Sequence, residues 1–167
     1  MRILGIDPGY DRVGIAIVEK SGKNKEVLIY SECFQTFSKD SFYIRLGQVG
    51  EKISAIIKTH SPHALAIESL FITKNQKTAM RVSEARGVIM YEAIKSGLSV
   101  YEYTPLQIKV AVTGHGGSDK VQVMKMIPLL VKLPAKKSQD DEYDAIAVAL
   151  TCLAHEGSAM AKSFPQN

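Results

Sequence analysis

The feature that most constrains this sequence is a short apolar run that stops on an acid. Residues 2–6 (RILGI) end at Asp7-Pro8-Gly9. A run of that length closed by Pro-Gly reads as a buried strand entering a tight turn, and it leaves Asp7 at the strand's end. Residues 64–67 (ALAI) repeat the arrangement and end at Glu68-Ser69. Two buried strands with terminal carboxylates already favour an α/β sheet, the architecture in which ligand sites gather at strand ends.

The rest of the chain fits that frame. VGIAIV at 13–18 is β-rich, Ser21-Gly22-Lys23-Asn24 reads as a hairpin turn, and Val27 to Phe37 supplies a third strand. Short turns between these three predict an antiparallel meander. Ile44, Leu46, Val49, Ile53, Ile56 and Ile57 recur at helical spacing over 41–59, and Ser61-Pro62 ends that helix. After the strand ending at Glu68, a long helix is expected from about Thr78 to Ser96, stopped by Gly97. A strand follows from Leu98 to Tyr103, then a short helix capped by Thr104. Ser118 or Asp119, after the Gly-rich stretch 114–117, caps a helix to about Leu130. Residues 133–139 read as a polar loop. A well-buried final helix opens at Asp140 or Asp141. The expected fold is α/β, a mixed five-stranded sheet flanked by helices. One domain covers 1–156, with 157–167 as a flexible tail.

Composition narrows the class. Hydrophobic residues make up 46% and charged residues 23%, which excludes a disordered, fibrous or disulfide-scaffold chain. Cys33 and Cys152 lack metal-type spacing and read as reduced thiols. The N-terminus has no signal-peptide pattern, and no apolar stretch reaches the roughly 18 residues a membrane span needs. A cytoplasmic protein without membrane contact is expected. Net charge is +4, unevenly spread. Residues 70–139 hold 11 Lys and Arg against 4 Asp and Glu, whereas 140–167 hold 1 against 5. A basic middle beside an acidic end suits a nucleic-acid surface next to a metal site, although an unevenly charged solvated surface gives the same count.

Asp141 and Asp144, three apart at a helix start, face the same way with Cβ atoms about 5–6 Å apart. Together with Asp7 and Glu68 they make four carboxylates that repel strongly without a cation. Mg²⁺ or Mn²⁺ is the natural neutraliser for oxygen ligands, and paired ions of this kind hydrolyse phosphodiesters. Each acid also has a plainer reading: Asp7 as a turn former, Glu68 as a surface charge, and Asp140, Asp141 and Glu142 as first-turn acids favoured by the helix dipole.

ILGIDPG, AIESLFITKNQKTAMRVSEARGVIM, TPLQIKVAVTGHGGSDKVQV and DDEYDAIAVAL, in that order, resemble the RuvC family of Holliday junction resolvases over residues 1–155. The resemblance implies an RNase H-like fold and a homodimer that cuts four-way DNA junctions with divalent metal, two Mg²⁺ per site or Mn²⁺ in their place. It makes Asp7, Glu68, Asp141 and Asp144 the metal ligands. Asp140, four residues from Asp144, competes with Asp141 for the third place. Lys109 and Lys120 fall near the scissile phosphate. Lys74, Lys77, Arg81 and Arg86 touch backbone phosphates, and Phe71 stacks on an unpaired base. A branch-migration motor of RuvA and RuvB type is the implied partner. Two other readings stay open. One is an actin-like or sugar-kinase ATPase module, for which 167 residues leave little room. The other is a related RNase H-like nuclease with another nucleic-acid substrate.

Overall fold

The computed structural model describes residues 1–22, 26–70, 76–133 and 140–163, and side chains at 76, 77 and 157–163 are not considered. Among the described residues eleven elements follow one another as β1 (Arg2–Asp7), β2 (Arg12–Glu19), β3 (Glu26–Gln35), α1 (Phe42–His60), β4 (Ala64–Glu68), α2 (Gln76–Lys95), β5 (Ser99–Tyr103), α3 (Pro105–Thr113), α4 (Lys120–Leu130), β6 (Val131–Lys132) and α5 (Asp140–Ser163). They build one sheet in the order β5-β4-β1-β2-β3-β6. The meander β1-β2-β3 is antiparallel, as expected, and β4 and β5 run parallel to β1.

One expectation needs correction. The sheet has six strands, because Val131 and Lys132 pair in parallel with Glu26 and Val27 at the start of β3. A two-residue strand carries no period-two pattern of its own, so it is invisible before its partner is known. The final helix also runs to Ser163, past Glu156, where the helical pattern DEYDAIAVALTCLAHE ends.

Strand periodicity decides which residues meet the helices. On β1, Leu4 and Ile6 are buried against α1 and α2, while Ile3 is buried against α5. On β4, Leu65 and Ile67 face α1 and α2, while Ala64 and Ala66 face α5. Continuing the alternation puts Asp7 and Glu68 on the α5 face of the sheet. Small residues let α5 sit close there. A Cβ at Gly5 would lie 2.2 Å from the backbone oxygen of Ala145, and one at Gly14 would lie 2.1 Å from that of Asp141. Any larger residue at either position would push the acidic start of α5 away from the sheet.

The helix starts follow from their caps. Thr104 accepts a hydrogen bond from the Gln107 amide and Asp119 from that of Gln122, each in a reciprocal capping box. Asp119 thus fixes Lys120 as the first residue of α4. Among the described residues no helix is long and apolar enough to cross a membrane.

Candidate active site

Asp7 at the end of β1, Glu68 at the end of β4, and Asp141 and Asp144 in the first turns of α5 share one corner of the molecule. The electrostatics report their proximity. Burial and the fields of Asp144, Glu68 and Asp141 push the Asp7 carboxyl up to about 7, partly offset by Lys120. Burial and then Asp144 also raise Glu68. A cleft beside them is lined by Glu68, Pro105, Lys109, Lys120 and Asp144, with Ile108, Val123 and Ala147 as its apolar wall. Lys120 Nζ donates to Asp144 Oδ2 at 2.8 Å, and this bond holds the ammonium more firmly protonated. The lysines of α3 and α4 therefore stand in the same cleft as the acids.

The geometry separates Asp140 from Asp141. Asp140 is exposed, with its Oδ2 3.8 Å from Lys120 Nζ. Asp141 is mostly covered, and its Oδ2 accepts from Cys33 Sγ at 3.1 Å and faces Arg12 Nε at 3.5 Å. Asp141 is among the acids whose fields raise Asp7. Asp141→Asn is therefore expected to slow phosphodiester cleavage by about 10²-fold or more, and Asp140→Asn by no more than about threefold. Turnover of the two variants under the same conditions distinguishes them, and a reversed order would give the ligand place to Asp140.

Local sequence patterns mark neither Arg12 nor Ser31, which donates to Glu142, and Cys33 reads from the sequence only as a reduced thiol. Glu142 lies in the first turn of α5, as its plainer reading has it, and is buried there. Ser31 and Cys33 stand opposite Ala16 and Gly14 in the β2–β3 register. Small residues opposite small polar ones on one sheet face are the signal that a polar helix end packs there. The free thiol of Cys33 is held up at about 11 by burial and by its bond to Asp141.

The remaining candidate residues divide. Arg81 lies over the rings of Tyr10 and Phe42, 5.6 and 5.1 Å from their centroids, where stacking fixes its direction. Arg86 points elsewhere: its side chain is 15% exposed and pairs with Glu102. Phe71 and Lys74 lie outside the described residues. Lys77 lies in the first turn of α2, with its side chain outside them.

The donor set fits a hard divalent cation, because it offers carboxylate oxygens around an acid whose burial disfavours its own charge. Among the described residues no three such side chains are drawn together as a closed ligand cage. Asp144 is turned to Lys120 and Asp141 to Arg12 and Cys33.

Strand-end acids beside an acidic helix start on one face of a mixed sheet are the arrangement of an RNase H-like nuclease. The chain belongs to the RuvC family: the family model described as crossover junction endodeoxyribonuclease RuvC matches residues 3–152. A crossover junction endodeoxyribonuclease RuvC from Thermosipho melanesiensis is 48% identical over 93% of this chain and 98% of its own. Another from Brevibacillus brevis is 42% identical over 90% of each. A solved structure of T. thermophilus RuvC in complex with a Holliday junction substrate superposes with a TM-score of 0.88. It is 29% identical and covers 95% of this chain and 96% of the other. Family membership carries a divalent-metal requirement.

Proposed function

We propose that this protein resolves four-way DNA junctions by paired, symmetric nicks, with Asp7, Glu68, Asp141 and Asp144 holding two Mg²⁺ ions, for which Mn²⁺ substitutes. The observation that carries this reading is the convergence of four acids from β1, β4 and α5 beside Lys109 and Lys120, in a RuvC-family chain. Divalent metal held by these acids would supply an activated water and charge neutralisation at the leaving oxygen.

The chain's own residues supply positioning and charge. Asp7 and Glu68 are fixed by strands inside the core, so their placement does not depend on loop order. Lys120, at the helix start, and Lys109 present ammonium groups where negative charge grows on the phosphate. Asp141 and Asp144 lie on one helix and approach the strand acids together, because Gly5 and Gly14 admit that helix. Lys120→Ala is expected to lower turnover about 10²-fold while junction affinity changes by no more than about threefold. Equal losses in the two quantities would make Lys120 a DNA-positioning residue.

A homodimer is supported by exposed apolar residues on α1 and α2, among them Tyr43, Ile44, Met80, Tyr91 and Ile94, a surface of the kind subunits cover. Two-fold symmetry suits two symmetric cuts. Phe71, Lys74, Lys77 and Arg81 are assigned to the junction, and a RuvA and RuvB type motor to the partnership, by family resemblance.

The deciding assay offers a four-way junction, a linear duplex of the same sequence and an RNA–DNA hybrid to the protein with Mg²⁺. Paired nicks confined to the junction, leaving ends that a ligase rejoins, are expected. Equal cutting of the duplex or the hybrid would replace this reading with a nuclease of another specificity.

A further inference from the structure

We infer that Arg86 positions Glu68 from behind the sheet and does not contact DNA phosphate. This rests on Glu68 being a metal ligand. Glu68 is the last residue of β4, and the pairing of β1 with β4 ends one residue earlier, at Ile67. On its other side Glu68 stands opposite Tyr103 of β5, and the next amide, Ser69 N, bonds to Tyr103 O at 2.8 Å. The strand end is therefore tied on one side by β5, and a helix supplies the other tie. Arg86 Nε donates to the backbone oxygen of Glu68 at 3.2 Å, and a terminal guanidinium nitrogen bonds to Glu102.

Glu102 precedes Tyr103, whose ring packs on the α5 face. By alternation Glu102 faces α2, across the sheet from the acids. The guanidinium sits on this rear side, in a side chain only 15% exposed. It joins α2, β4 and β5 at the point where Glu68 leaves the sheet. Its planar fork holds two acceptors in set directions, which a lysine ammonium does not reproduce. A phosphate would have to displace Glu102 to reach the same nitrogen. Arg81, over Tyr10 and Phe42, makes no ion pair with a carboxylate among the described residues, although Glu84 lines the same pocket. The two arginines of α2 therefore divide the labour, with Arg81 toward DNA and Arg86 toward the site's own backbone.

The test uses the full chain with Arg86→Lys, Arg86→Gln and Glu102→Gln. Three quantities are read: Mn²⁺ binding to the metal-free protein by calorimetry, affinity for a four-way junction in chelator across a salt series, and turnover. The expected result is Mn²⁺ affinity lowered about 10-fold in both Arg86 variants. A smaller loss in the same direction is expected in Glu102→Gln, together with reduced turnover that recovers as Mn²⁺ is raised. Junction affinity and its salt slope stay at wild-type values. A salt slope reduced by about one in Arg86→Gln, with Mn²⁺ binding intact, would make Arg86 a phosphate contact and overturn the inference. Wild-type Mn²⁺ affinity with only a lowered melting temperature overturns it as well. Glu102→Gln keeps the inference open to refutation if the Arg86 variants misfold. Glu68→Gln serves as the separate control. If it binds Mn²⁺ and cleaves like wild type, the ligand role of Glu68 fails rather than the clamp.

Discussion

Asp7→Asn is expected to slow junction cleavage by at least about 10³-fold, a loss of roughly 4 kcal/mol of transition-state stabilisation, with junction affinity held within about twofold. The asymmetry follows from position. Asp7 lies at the end of a central strand, largely buried among other carboxylates, and as an acid it repels phosphate. Its loss therefore removes nothing that attracts DNA. The amide is nearly the same size, so the turn at Pro8-Gly9 and the packing of α5 should survive. Single-turnover cleavage and chelator-treated binding, measured on the same preparation, give the two quantities. A variant that cleaves at the wild-type rate would end the case for a carboxylate-held metal site.

The same substitution is expected to stabilise the metal-free protein at neutral and higher pH. In the unfolded chain Asp7 ionises near 3.8, and in the folded protein near 7. Between those values the folded state holds a proton that the unfolded state has released, so raising the pH favours unfolding. The penalty grows from about pH 4 to about pH 7, reaches roughly 4 kcal/mol and is constant above that. Glu68, whose carboxyl is also raised, adds a slope of the same sign. Asparagine carries no charge and removes the Asp7 contribution. Denaturant unfolding in chelator at about pH 5 and about pH 8 tests this. Wild type should lose stability between the two, and Asp7→Asn should lose much less. Added Mg²⁺ should restore wild type at pH 8 and do little for the variant, since a ligand that binds only the native state stabilises it. Equal stability of wild type at both pH values would contradict the burial and crowding that raise Asp7. The site is on this view a place where stability is given up for metal affinity, a common feature of functional sites.

The four acids are legible because each stands at a strand end or helix start, or one helical step from one, whereas Lys109 lies inside α3 and is assigned only through the family resemblance. A strand end after an apolar run, a helix start after a cap, and a three-residue spacing on one helix are all properties of neighbouring residues. Arg86 shows where that kind of reading stops. As one of several cations on a basic helix it reads as a phosphate contact. Its partners, Glu68 O and Glu102, lie 18 and 16 residues away and are met only when α2 folds back over β4 and β5. Cys33 and Asp141 are 108 residues apart, and their bond depends on α5 crossing the β2–β3 face.

From the sequence alone came the element order apart from β6, the mixed sheet and its meander, the cap at Thr104, and the acids at strand and helix ends. These follow from steric and hydrogen-bonding preferences that act over a few residues. Only the tertiary structure decided that Asp141 rather than Asp140 joins the cluster, that Glu142 is buried, that a sixth strand closes the sheet beside β3, and that Arg86 is engaged from behind. The sixth strand depends on the segment after α4 reaching β3, and Arg86 on α2 folding over β4 and β5, whereas the places of Asp141 and Glu142 depend on how closely α5 approaches the sheet. That distance is set by Gly5, Gly14 and the packed side chains between the layers, and no local pattern encodes it.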